Sequence, residues 1–295
     1  MSSQETFPKC PASETASSLD HHEFARGFEL IRERTNLIDR LVLWFRIFVD
    51  ESLTAQSERF SVLSVGAGNG HFDLRAINIL RSKLFSVDYD VIEPNPILLG
   101  QFLGNFKAGQ HINVSLKARC CLFEEYATSR KYDLILFDNC LSHIQNRQLA
   151  LAKALSMLNE EGQVVLITST RAGVQDLRMN FSPAPIEHDQ NVCLPGEIDT
   201  ALASLGAEYT CDHLTSRVDV TECFEEHSSS GNLLLAFILG CRTQYLDAEV
   251  KADILNYLRS LCTEHAGRVF MPHSADVFRI FRVNTNCEQA DKTRL

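Results

Sequence analysis

Hydrophobic positions change their period once along this chain. From about Asp20 to Leu53, Phe24, Phe28, Ile31, Leu37, Leu41 and Phe45 recur at helical spacing, which predicts one or two helices broken near Thr35–Asn36. From Phe60 short apolar runs alternate with helical stretches. Strands are predicted at Ser61–Val65, Asp88–Ile92, Ile112–Leu116, Asp133–Phe137 and Gln163–Thr168. Helices are predicted after Gly70 through about Leu84, over 97–107, and over Asn146–Leu158, closed by Asn159-Glu160-Glu161-Gly162. The fourth strand is apolar throughout, as a central parallel strand covered on both faces should be. This βαβαβ order implies an α/β fold with a doubly wound, mostly parallel sheet. The last third is less regular. Residues 170–195 read as a long connection. Gly196–Leu205, Gly231–Leu239 and Ala248–Cys262 read as helices, and Glu208–Leu214 as a strand. Arg268–Met271 and Asp276–Val283 are expected to close the fold as an antiparallel pair.

Composition narrows the class. The chain has 295 residues, 45% of them hydrophobic and 22% charged, enough for one large α/β domain. Residues 1–19 read as a disordered leader rich in Ser, Thr and Pro. Residues 20–295 read as a single domain: a helical cap (20–58), a cofactor-binding core (59–170) and an acceptor-binding, closing part (171–295). The net charge of −10 and the lack of any basic run argue against a nucleic-acid partner. Leu233–Leu239, the longest apolar run, is far short of a membrane span. The ten cysteines are scattered with no metal-ligand spacing, and no secretory leader is visible. Free thiols, a cytoplasmic location and a monomer are therefore expected, with no metal.

The chemistry starts at the first strand. Val62-Leu63-Ser64-Val65 runs directly into Gly66-Ala67-Gly68-Asn69-Gly70 and then a helix. Glycine permits the tight turn and lets a ligand approach where a Cβ would collide. The spacing is tighter than the dinucleotide pattern G-x-G-x-x-G and favours a loop for S-adenosylmethionine (SAM), although a nicotinamide dehydrogenase is a weaker rival. Glu93, at the tip of the second strand before Pro94, is placed to accept the two hydroxyls of a ribose. Phe123 and Glu124 can supply the apolar wall and polar group that an adenine ring needs. Asp138 and Asn139 end the fourth strand, where ligands sit in open α/β sheets, and His143 follows just beyond.

These segments together resemble the class I SAM-dependent methyltransferases and, more narrowly, the histamine N-methyltransferase family. The likeness runs from Asp20 to about Val283. It rests on Asp20-His21 ahead of Phe24 and Phe28, on Val62–Leu74, Val91–Pro94, Glu125-Tyr126, Gly206–Tyr209, Asp219–Phe224 and Gly231–Leu234. It implies a Rossmann-like seven-stranded sheet under a helical cap and a C-terminal insertion. It also implies SAM contacts at Gly66 and Glu93, which match in type, and at Phe123 and Asp138, which do not. With their neighbours Ala67, Gly68, Pro94 and Glu124, these are the expected cofactor residues.

At the acceptor end the chain departs from the family. Leu37, beside Asn36 and Asp39, stands where the family has an acid, and His273 stands where it has an asparagine. Ser142 and His143 replace an aromatic pair. The expected acceptor residues are Phe24, Phe28, Asn36, Leu37, Asn139, His143 and His273, with His143 and His273 as candidate catalytic groups that take a proton or favour the neutral nucleophile. The expected activity is methylation of a small amine or imidazole compound, in an acceptor pocket diverged from the family's. A small-molecule O-methyltransferase and an inactive SAM-binding protein are the alternatives.

Overall fold

The computed structural model describes residues 19–52, 59–109, 111–181 and 195–281. The leader expected over 1–19 therefore falls outside the described residues except for Leu19. Helix α1 (His21–Arg34) begins at a capping box, in which the Asp20 carboxylate accepts from the backbone of His22 and Glu23 and Glu23 reaches back. It ends at Thr35, which is extended and bridges to Val218. Helix α2 (Leu37–Ser52) follows, so the break falls where the periodicity predicts it.

The core then alternates as β1 (Phe60–Val65), α3 (His71–Lys83), β2 (Val87–Ile92), α4 (Pro96–Ala108), β3 (Val114–Arg119), β4 (Tyr132–Asp138), α5 (Arg147–Ser156) and β5 (Leu158–Ser169). After β5 come a turn over Arg171–Gln175, α6 (Asp176–Phe181), α7 (Pro195–Ser204), β6 (Glu208–Leu214) and β7 (Arg217–Asp219). The chain continues through α8 (Ser229–Leu239), α9 (Ala248–Leu261), β8 (Thr263–His265), β9 (Arg268–Pro272) and β10 (Ala275–Phe281). The main sheet has seven strands in the order β3-β2-β1-β4-β5-β10-β6, parallel except for β10. This is the Rossmann-like, mostly parallel seven-stranded sheet that the resemblance implies.

Side-chain alternation builds a core on each face of the sheet. Val62, Leu134 and Leu136 pack with Leu41, Phe45 and Phe72 of α2 and α3. Leu63, Ile135 and Phe137 pack with Leu151, Ile198 and Leu202 of α5 and α7. A third cluster joins Ile31 of α1 to Leu177, Leu234, Ile238, Ile254 and Met271, so the C-terminal insertion packs directly on the N-terminal cap. Among the described residues no helix is long and apolar enough to cross a membrane.

Four local expectations change. Strand β3 starts at Val114 rather than Ile112, because Asn113 takes a left-handed turn (φ 63°) and leaves Ile112 exposed. Asn159–Gly162 does not stop α5 as a free turn. It forms an irregularity inside β5, where the register jumps from Tyr132↔Leu158 to Leu134↔Gln163. The connection after Thr170 is structured at its start, through the turn and α6. Arg268–Met271 and Asp276–Val283 do not pair with each other. β10 inserts antiparallel between β5 and β6, while β9 lies between β7 and β8 in a separate three-stranded sheet.

Candidate active site

A cleft of about 360 Å³ crosses the carboxyl ends of β2, β1, β4 and β5. The strand order reverses there, between β1 and β4, which is where open α/β sheets bind ligands. Four neighbouring strand tips span roughly 14 Å at the usual strand spacing. The floor is the glycine loop. Gly66, Gly68 and Gly70 all have left-handed backbones (φ 66°, 59° and 82°). A Cβ on Gly66 would stand 2.4 Å from the Cys140 Cβ, and one on Gly68 would stand 2.8 Å from Cζ of Phe28. Ala67 does not line the cleft. It is turned into the core between the sheet and α2–α3.

At one end stands Glu93, 5% exposed. Its Oε2 accepts from the Gly68 N–H and its Oε1 from the Asn95 N–H, each at 2.8 Å. Burial raises its pKa, and the two backbone donors oppose that shift. A carboxylate has about four acceptor sites. Glu93 thus fastens the glycine loop to β2 and keeps acceptor capacity for a diol. Pro94, Leu98, Leu122, Phe123 and Glu124 line the same end. Phe123 is buried edge-on against Phe137, with the Lys153 ammonium 4.7 Å from its ring centre. The Glu124 carboxylate accepts from the Gln145 N–H at 3.4 Å.

At the other end, Asp138 is buried and ion-paired to Arg32 of α1 at 2.9 Å. The Asn139 side-chain amide donates to its second oxygen. Asn139 is itself left-handed (φ 54°) and accepts from Ser169 Oγ. The sequence reading missed Arg32, although the signal was present. Phe24, Phe28 and Arg32 are spaced by four and share one stripe of α1. Phe24 and Phe28 stack at 6.5 Å, and both meet Phe237 of α8 (5.2 and 6.3 Å), a cleft residue with no signal of its own inside an apolar helix. His143 lies on a short turn at the cleft mouth, exposed and edge-on to Phe24. Leu37 is fully buried in the cleft wall.

His273 also lines the cleft. It is buried, its Nδ1 pairs with Thr35 Oγ1 at 2.8 Å, and burial with the charges of Arg32 and Arg178 pushes its pKa down to about 3. It stays neutral at physiological pH and serves as a hydrogen-bonding wall. Asn36 lies outside the cleft. Its Oδ1 accepts from Ser216 Oγ and Arg217 N, both at 3.0 Å, and ties the α1–α2 break to the start of β7. Gln175 and Arg178 complete the wall and were not foreseen, because only the turn after β5 brings them inward.

Over 280 residues the chain is 26% identical to histamine N-methyltransferase of Danio rerio, covering 88% of this chain and 96% of that one. It is 27% identical over 195 residues to carnosine N-methyltransferase 2 of Gallus gallus, covering 62% and 60%. In fold it is similar to the YcgJ protein of Bacillus subtilis (TM-score 0.54, 13% identity, 83% of this chain and 99% of that one). Residues 30–212, more than half of the chain, match the family model described as a methyltransferase domain. That span holds the glycine loop, Glu93 and the tips of β4 and β5, and by it the chain belongs to the methyltransferase domain family, as a SAM-dependent methyltransferase of class I.

Proposed function

We propose that this SAM-dependent methyltransferase, which acts on a small molecule, methylates a nitrogen of an amine or imidazole compound. One observation carries the reading. Phe24, Phe28 and Phe237 form an aromatic wall of the cleft, from the glycine loop under Phe28 to His143 beside Phe24, that suits a small flat acceptor. The similarity to proteins named for histamine and carnosine N-methylation points the same way.

The residues present fit the cofactor. Gly66 and Gly68 let the loop turn tightly beneath Cys140 and Phe28, Glu93 holds the Gly68 N–H and keeps capacity for a ribose diol, and Pro94, Phe123 and Glu124 line the end where the base would lie. SAM, when bound, supplies the methyl group on a sulfonium, and the protein supplies alignment. The aromatic wall orients the acceptor and excludes water. Asp138, held by Arg32 and Asn139, fixes the junction between the two halves of the cleft. Proton release from the product falls to His143 or to solvent at the mouth.

Calorimetric titration with SAM and with NADH tests the cofactor, on the wild type and on Glu93→Ala. SAM should bind, and the substitution should weaken it about tenfold or more, because the glycine loop loses its anchor as well as the diol its acceptor. A panel of labelled-methyl transfers to amines, imidazoles and alcohols tests the acceptor. Transfer confined to hydroxyl groups would make the chain an O-methyltransferase.

A further inference from the structure

Gln175 lines the cleft and is 3% exposed, yet its side-chain oxygen accepts no hydrogen bond from any described residue. Buried amide oxygens are nearly always partnered, because an unmet acceptor forfeits its hydration for nothing in return. Its backbone has little freedom to turn away. Gly173, two residues earlier, is left-handed (φ 81°), and a Cβ there would fall 1.9 Å from the Pro272 carbonyl oxygen. On the other side, Asp176 accepts from Tyr257 Oη at 3.0 Å and Arg178 Nε donates to the Ile238 carbonyl at 2.6 Å.

The charged groups at this end already have partners. Asp138 is paired with Arg32. Arg178 donates to carbonyls of α8. His273 is neutral, and Leu37 adds an apolar surface. The other carboxylates in the cleft lie elsewhere: Glu93 and Glu124 at the opposite end, and Asp20 at the cap of α1 bound to Arg242. Among the described residues that line the cleft, this wall offers an ammonium ion two guanidinium groups, Arg32 and Arg178, and one carboxylate, Asp138, which Arg32 already holds. An uncharged N–H donor meets an acceptor and aromatic faces.

We propose that Gln175 is a specificity-determining residue of the acceptor site: its Oε1 takes a hydrogen bond from the N–H of an uncharged aromatic nitrogen heterocycle, and the site rejects alkylammonium ions. The inference deepens the N-methyltransferase reading and rests on it. In such a ring the N–H is held by Gln175 while a second, unprotonated nitrogen keeps its lone pair.

The test is calorimetric titration of the full chain, saturated with S-adenosylhomocysteine, at a pH of about 7.5. The probes are benzimidazole, its N-methylated analogue that lacks the N–H, and butylamine. The wild type should bind benzimidazole about tenfold more tightly than the analogue, and butylamine more weakly than either. Gln175→Leu should abolish the preference for the N–H while keeping its affinity for S-adenosylhomocysteine, and Gln175→Glu should gain butylamine binding. If Gln175→Leu does not fold, Gln175→Met serves in its place, and the wild-type comparison stands alone. The proposal is overturned by failure of benzimidazole to bind, by equal affinity for the two heterocycles, by persistence of the preference in Gln175→Leu, or by butylamine binding as tightly as benzimidazole. Labelled-methyl transfer separates the two claims. A bound heterocycle that is never methylated, with transfer going to an alcohol, defeats the N-methyltransferase reading and leaves the hydrogen-bond comparison intact.

Discussion

Behind the glycine loop, Asp73 is 1% exposed and accepts a hydrogen bond from Tyr89 Oη at 2.7 Å. Burial pushes its pKa up to about 6, against the pull of hydrogen bonds from Ser64 and Tyr89 and with the added repulsion of Asp138. A carboxyl whose pKa is higher in the folded state binds its proton more tightly there. Its stabilising contribution is therefore full below its unfolded pKa and declines as pH rises through about 6. Asp73→Asn should remove that decline, worth about 3 kcal/mol across the window. Urea unfolding of both proteins between roughly pH 4 and 7 measures it, and parallel slopes would refute the assignment. The sequence shows Asp73 only as an acid in a first helical turn, where the dipole alone would explain it. Glu93 was easier to read, because a carboxylate at a strand tip before proline has few structural reasons to be there.

Helix starts are where the elements meet the cleft. Asn95 caps α4 by accepting from the Ile97 and Leu98 N–H groups, and its side-chain amide donates to the His21 carbonyl of α1. Its backbone N–H holds Glu93. Asn95→Ala should cost about 1–2 kcal/mol through the lost cap. It should weaken SAM binding less than Glu93→Ala does, because the backbone donor survives. Denaturant unfolding and SAM titration on the same variant check both parts. An affinity loss as large as that of Glu93→Ala would show that the link to α1, not the carboxylate, governs the site. Element positions were legible where period and turn chemistry agree, as at the Thr35 break, in β1 and in α8. They were displaced where one residue intervenes, as Asn113 does before β3.

The cleft is assembled from the whole length of the molecule: α1, the tips of β1, β2, β4 and β5, the turn after β5, α8 and the corner between β9 and β10. A ligand that fills it should fasten the cap to the sheet. Saturation with S-adenosylhomocysteine at about a hundred times its Kd should stabilise the protein by about 2.7 kcal/mol and raise Tm. Hydrogen exchange should slow in α1 and α8 and remain unchanged in α9, which does not touch the cleft. No rise in Tm would argue against ligand binding at this site. Local information by itself determined the order of strands and helices from α1 to β5, the left-handed glycine turn and the acid at the tip of β2. Each depends on period, backbone freedom or position within a few residues. Tertiary structure alone decided that Arg32 meets Asp138 across 106 residues, and that His273 meets Thr35 across 238 and is buried there with its pKa pushed down. It also decided that β10 enters the main sheet while β9 does not. Those outcomes turn on which distant surfaces share a core and how much water their packing removes, and no local pattern encodes either.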